Sequence, residues 1–149
     1  MSIAETINND IKKAMLARAE AELRALRAIK AALLLEATKE AGAGEVSDES
    51  AIKILQKLAK QRKESMEIFK TQGRSDLFEK ENEELLVMEK YLPAQMDNNQ
   101  LKEKLQQIIS SSGFSTSADF SKLMPLAMKE LAGKADGKAI SSLLKELLN

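Results

Sequence analysis

The chain of 149 residues has no cysteine, no histidine and no tryptophan, and its aromatic side chains are four Phe and one Tyr. Without cysteine there can be no disulfide, thiolate nucleophile or thiolate metal ligand, and without histidine the usual neutral-pH base and the commonest metal ligand are missing. No glycine-rich phosphate loop, dinucleotide fingerprint or metal-ligand spacing stands in for them. The chemistry predicts no cofactor, no metal and no visible autonomous active site. No apolar run approaches a membrane span and nothing resembles a secretory signal. The basic, alanine-rich start carries Glu5, Asp10, Glu20 and Glu22, which argue against a cleaved transit peptide. A cytoplasmic protein that meets no membrane is the simplest expectation.

With six Gly and two Pro against 31% charged residues, the composition is that of a helical protein, and the expected fold class is all-α. Lys+Arg and Asp+Glu both number 23, so bulk attraction to a polyanion is not indicated. Distribution says more than the sum. Residues 12–30 hold six basic against two acidic side chains, and residues 53–74 hold seven against two; residues 76–90 reverse the sign, with six acidic against two basic. The last two segments attract each other when folded antiparallel.

The register of that pairing follows from helical spacing. Leu55, Ala59, Arg62, Met66 and Phe69 form one stripe, and Leu77, Glu81, Glu84, Met88 and Tyr91 form the other. Pairing them antiparallel folds the chain about Gly73, where a glycine suits a helix C-cap. Phe69 then meets Leu77, Ala59 meets Met88, Leu55 meets Tyr91, and Arg62 faces Glu84 in an otherwise apolar seam. An arginine there needs a carboxylate. Arg62, Glu81 and Glu84 read first as groups that fix register, as buried polar residues do in coiled coils. Acid–base catalysis by the carboxylates would need a substrate cleft and one raised pKa, and neither is implied.

Ahead of this hairpin, Ile3, Ile7, Ile11, Ala14 and Met15 mark one amphipathic helix, and Leu23, Leu26, Ile29 or Lys30, Leu33, Leu34 and Ala37 mark another, with a bend expected near residues 18–20. The glycines of AGAGEV at 41–46 predict a loop; Ser47 is a candidate N-cap for the basic helix and Ser75 for the acidic one. Tyr91-Leu92-Pro93 ends that helix. The expected division is an N-terminal helical domain over 1–94, containing the antiparallel hairpin, and a small three-helix domain over 95–149. In the second, Asp97 with Gln100 and Thr116 with Asp119 look like capping boxes. Pro125 predicts a kink or restart in the helix that begins near Phe120. The run Gly133-Lys134-Ala135-Asp136-Gly137-Lys138 joins the last two helices: Gly133 suits a left-handed C-cap and Asp136 an N-cap. A phosphate could dock on the following amides, unless Asp136 already occupies them.

Several fragments, in order, resemble YqeY-like proteins of the GatB/YqeY family: DIKKAM from Asp10, LRALR from Leu23, RKES from Arg62, GRSDL from Gly73, YLPAQM from Tyr91 and GKADGK from Gly133. Pro125 and Ser121 depart from the small residue and the glycine usual there. The resemblance implies a two-part helical fold akin to the C-terminal tail domain of the B subunit of the glutamine-dependent tRNA amidotransferase. It also implies a link to carbon–nitrogen ligase activity with glutamine as amido-N-donor. The catalytic cradle of that subunit has no counterpart here, so any such activity label would be inherited.

The leading expectation is a tRNA-binding or amidotransferase-associated module whose partner is tRNA or a tRNA-processing complex. Its contacts would run mainly to phosphate. Candidate residues are Lys63, Arg74, Lys122, Lys129, Lys134 and Lys138, with Arg62 the weakest because its position commits it to Glu84. The alternative is a helical protein-interaction adaptor with no nucleic-acid role, whose groove between the hairpin and the C-terminal helices would be lined by Met66, Met88, Met124 and Met128.

Overall fold

The computed structural model describes residues 1–39 and 44–148, and among these the chain is all-α. Seven α-helices follow one another: α1 (Ile3–Ala17), α2 (Glu20–Lys39), α3 (Asp48–Thr71), α4 (Ser75–Glu89), α5 (Asn98–Ser112), α6 (Phe120–Glu130) and α7 (Gly137–Leu147). A 3₁₀ turn at Ser117–Asp119 leads into α6. Of the expected loop at 41–46, residues 41–43 lie outside the described residues, while Val46 is buried. The chain separates into two compact units, Met1–Leu92 and Pro93–Asn149.

In the first unit α1 ends without a glycine. Arg18 takes the left-handed conformation (φ 56°), its N–H donates to the Met15 carbonyl, and Ala19 N–H donates to Ala14. These are the two bonds of a Schellman stop. The same pair recurs at the end of α3, where Gly73 (φ 69°) donates to Lys70 and Arg74 to Phe69. Only Gln72, Gly73 and Arg74 separate α3 from α4, so the residue that completes the stop of α3 is also the one that starts α4. Arg74, not Ser75, is therefore the N-cap; it makes no side-chain cap, and Ser75 is already helical. Ser47 does cap α3, accepting from Ser50 N–H.

The core of this unit centres on Ile7, Leu26, Ile29, Leu55 and Met88, all fully buried. Each such side chain contributes about 1.5–3 kcal/mol through removal from water. The α2 stripe is Ala25, Leu26, Ile29 and Leu33; Leu34 falls off it and is 57% exposed, and Met15 of α1 is likewise outside. A residue next to a stripe position is turned about 100° away from it. Helix α4 packs against both α2 and α3, which is why Leu85 and Val87 are buried beside Glu84 and Met88.

The second unit closes on Leu101, Leu105, Leu123, Leu131, Ile140 and Leu144. Asp97 and Gln100 form a reciprocal capping box on α5. Helix α6 runs continuously through the exposed Pro125. The restart instead precedes it, at the 3₁₀ turn. Pro125 gives up only the bond it would have made to the first turn, and its ring points to solvent.

Candidate nucleic-acid interface

Sequence-predicted cations fall into two groups by what surrounds them. Arg62 on α3 donates through Nε to Glu84 Oε2 at 2.9 Å. Glu84 is 7% exposed, so this carboxylate has left water and depends on its partners. Its other oxygen accepts from Arg24 Nε on α2 at 3.0 Å, and Arg24 Nη2 continues to Glu83 at 3.2 Å. Glu81 Oε2 is buried 3.5 Å from Arg62 Nε with no hydrogen-bond partner, and is held by charge alone. Three helices are thus tied by one carboxylate. Arg24 has no signature in the sequence, because the register of α2 against the other two helices is not written in charge.

The other candidates of the first unit are also occupied. Lys63 lies 3.9 Å from Glu89. Arg74 forms a two-pronged pair with Asp76, at 3.1 and 3.0 Å. That hydrogen bond holds the Asp76 carboxyl below its ordinary range and raises the Arg74 guanidinium. Tyr91 donates to Asp10 at 2.6 Å, and burial together with that bond pushes its phenol above its ordinary range.

The second unit is different. It contains seven lysines and no arginine, and among the described residues none of the seven lies within ion-pair distance of a carboxylate, the closest pairs all belonging to residues 1–92. Lys122, Lys129, Lys134 and Lys138 are all exposed. Lys134 sits in the turn between α6 and α7, which is anchored from beneath: Met96 N–H donates to the Lys134 carbonyl at 3.0 Å and Gln95 to the Gly133 carbonyl at 2.7 Å. Gly133 supplies the left-handed residue there (φ 78°). Asp136 is the N-cap residue of α7, but its side chain accepts no hydrogen bond. The expectation that it fills those amides is therefore corrected: its backbone is placed as a cap while its carboxylate points elsewhere. Gly137 follows, and the Met128 thioether packs close against it, its Cε 3.3 Å from the place a Cβ would take.

Two rings carry lysines over their faces, Lys122 over Phe114 at 5.3 Å and Lys145 over Phe120 at 5.5 Å. Lys145, absent from the sequence-predicted set, lines a shallow, half-open pocket of about 200 Å³ with Ser117, Phe120 and Leu148. The turn that forms its rim is fixed by Asp119, whose carboxylate accepts from Ser115 N–H, Thr116 N–H and the Thr116 hydroxyl. The methionines expected to line an adaptor groove are divided: Met88 is fully buried in the first core, Met66 and Met124 are half-buried, and Met128 is exposed. Met88 is packing, since its stripe faces the crowded side of α4. No group of three or more acidic or other metal-ligating side chains among the described residues could hold a metal ion, and none of the described helices is long and apolar enough to cross a membrane.

Comparison with known proteins adds two findings. The sequence profile described as Yqey-like protein matches residues 4–148. Altered inheritance of mitochondria protein 41, mitochondrial, from Clavispora lusitaniae, is 31% identical over 112 residues, which cover 73% of this chain and 64% of that protein. The match thus spans less than two thirds of that relative's length.

Proposed function

The chain belongs to the YqeY-like protein family, and from that premise we propose that it is a helical tRNA-binding module, acting alone or beside a tRNA amidotransferase. In this reading the antiparallel hairpin of residues 1–94 is scaffold and the small three-helix domain of 95–149 is the part that meets RNA. The observation that carries it is how the candidate cations divide by neighbourhood. Arg24, Arg62, Lys63 and Arg74 are committed to carboxylates of their own unit, whereas Lys122, Lys129, Lys134 and Lys138 are exposed and have no ion-pair partner among the described residues. An all-lysine set offers point charges and lacks the planar fork that reads base edges or clamps phosphate in two places. Such side chains position a phosphate backbone without reading its sequence. In this reading the chain contributes binding to any amidotransferase reaction.

Fluorescence-anisotropy titration of the full chain with tRNA at several salt concentrations tests this. Affinity falls steeply with salt, and Lys134→Ala with Lys138→Ala lowers the slope of log affinity against log salt by about 2, near one for each phosphate that a lysine no longer neutralises. Salt-insensitive binding, no binding, or an unchanged slope overturns the reading. Lysate partners that persist after nuclease treatment would favour an adaptor instead.

A further inference from the structure

Residues 110–128 contain a single acid, Asp119, and its carboxylate is spent on three local donors in the turn before α6. The same stretch holds Phe114, Phe120 and Lys122, and each ring has an ammonium over it, Lys122 on Phe114 and Lys145 on Phe120. Phe120 is half-buried: it packs against the apolar core of its unit and also lines the cavity with Ser117, Leu148 and Lys145. At about 200 Å³ this space is below the roughly 300–1,000 Å³ that holds a whole drug-sized ligand or cofactor, so it suits one small planar group. Its walls narrow the choice. A bare anion has no use for Phe120 and Leu148, and a purely apolar ligand has no use for Lys145 and the Ser117 hydroxyl. A flat ring with hydrogen-bonding edges, joined to a phosphate, uses all four.

We propose that this cavity receives one unpaired base of a single-stranded RNA segment. The Lys145 ammonium, 5.5 Å over the Phe120 ring in the free chain, swings aside onto the adjoining phosphate, and the base takes its place against the Phe120 ring and Leu148 with its edge at the Ser117 hydroxyl. Aromatic platforms flanked by cations are the usual means of holding splayed bases without strict sequence choice. This deepens the RNA-binding reading, on which it rests for the class of ligand, and it makes unpaired segments the preferred target over duplex.

The test is a ¹H–¹⁵N titration of the full chain with a single-stranded RNA octamer, a blunt RNA duplex of the same sequence, inorganic phosphate and tRNA. The octamer moves the amide signals of Ser117, Phe120, Lys145 and Leu148 together, duplex leaves them in place, and inorganic phosphate moves at most that of Lys145. Phe120→Leu, which keeps apolar bulk in the core, weakens octamer binding about tenfold, the equivalent of losing one base stack. Lys145→Glu, at an exposed position that leaves the core untouched, weakens it as well. Octamer shifts confined to other lysines, or affinity unchanged in both variants, overturn the proposal. Cavity shifts with the octamer but no tRNA binding would remove the tRNA reading and keep this one. Salt-sensitive tRNA binding with the four amides unmoved would do the reverse, and no binding of any RNA would remove both.

Discussion

The two units of this chain have nearly the same charge balance and use it in opposite ways. Residues 1–92 hold 16 basic and 17 acidic side chains and residues 93–149 hold seven and six, yet all nine ion pairs within 4.0 Å among the described residues fall in the first. The difference lies in helix length and in what each interface contains. The 24-residue α3 and 15-residue α4 run past each other with opposite-sign stripes, so charges from distant parts of the sequence meet at the seam. Helices α5, α6 and α7, of 15, 11 and 11 residues, meet only through apolar stripes and leave their lysines outside. Among the described residues, seven of the 16 cations of the first unit are drawn into ion pairs, five of those pairs linking separate helices, and none of the seven in the second unit is.

Several substitutions would break or sharpen this contrast. The largest effect is expected from Leu144→Ala, which opens a cavity in a fully buried site and destabilises the second unit by about 2–5 kcal/mol, read as lost amide-exchange protection across α5–α7. Glu84→Ala ranks next. It leaves Arg24 with Glu83 alone and Arg62 with Glu81 alone, and because the Arg24 side chain is 37% exposed the loss should be about 2–3 kcal/mol, below the full cost of breaking a dry pair. Denaturation followed by Tyr91 emission checks it, since Tyr91 is the single Tyr in a chain without Trp. A neutral response to Glu84→Ala would erase the contrast.

Tyr91→Phe should cost about 1 kcal/mol near neutral pH through its bond to Asp10. It also carries a pH signature. The folded phenol is raised above its ordinary value, so its contribution is complete below about pH 10 and is lost as pH climbs beyond, where the unfolded chain releases the proton first. The variant should therefore lose part of the alkaline slope in a urea-midpoint series. Arg18→Gly should go the other way, stabilising the first unit by about 0.5–1 kcal/mol because glycine takes the left-handed stop without Cβ strain. The smallest change is expected at Arg74 and Asp76: their pair is exposed, and Asp76→Asn should leave the urea midpoint unchanged at ordinary salt and lower it slightly only at low salt.

The all-α class could be read from composition and spacing, and so could the stop at Gly73 and the caps at Ser47 and Asp97, because each is decided within a few residues. Arg62 opposite Glu84 follows from two stripes that share one fold point. Arg24 was invisible because a single charge on an alanine-rich helix does not say which carboxylate it will reach across 60 residues. Lys145 was hidden for a related reason: it lies next to Phe120 only once α7 has folded back beside the turn before α6. Ser75 failed as a cap through a local cause, the connection being too short to give the two helices separate boundary residues.

By itself the sequence determined what kind of elements form and where most of them stop, since helical period, capping and glycine geometry are short-range properties of the backbone. The tertiary structure alone decided which charges are consumed and which stay available. A lysine's freedom depends on every carboxylate within a few ångströms, and those neighbours are assembled from helices that the chain order keeps apart.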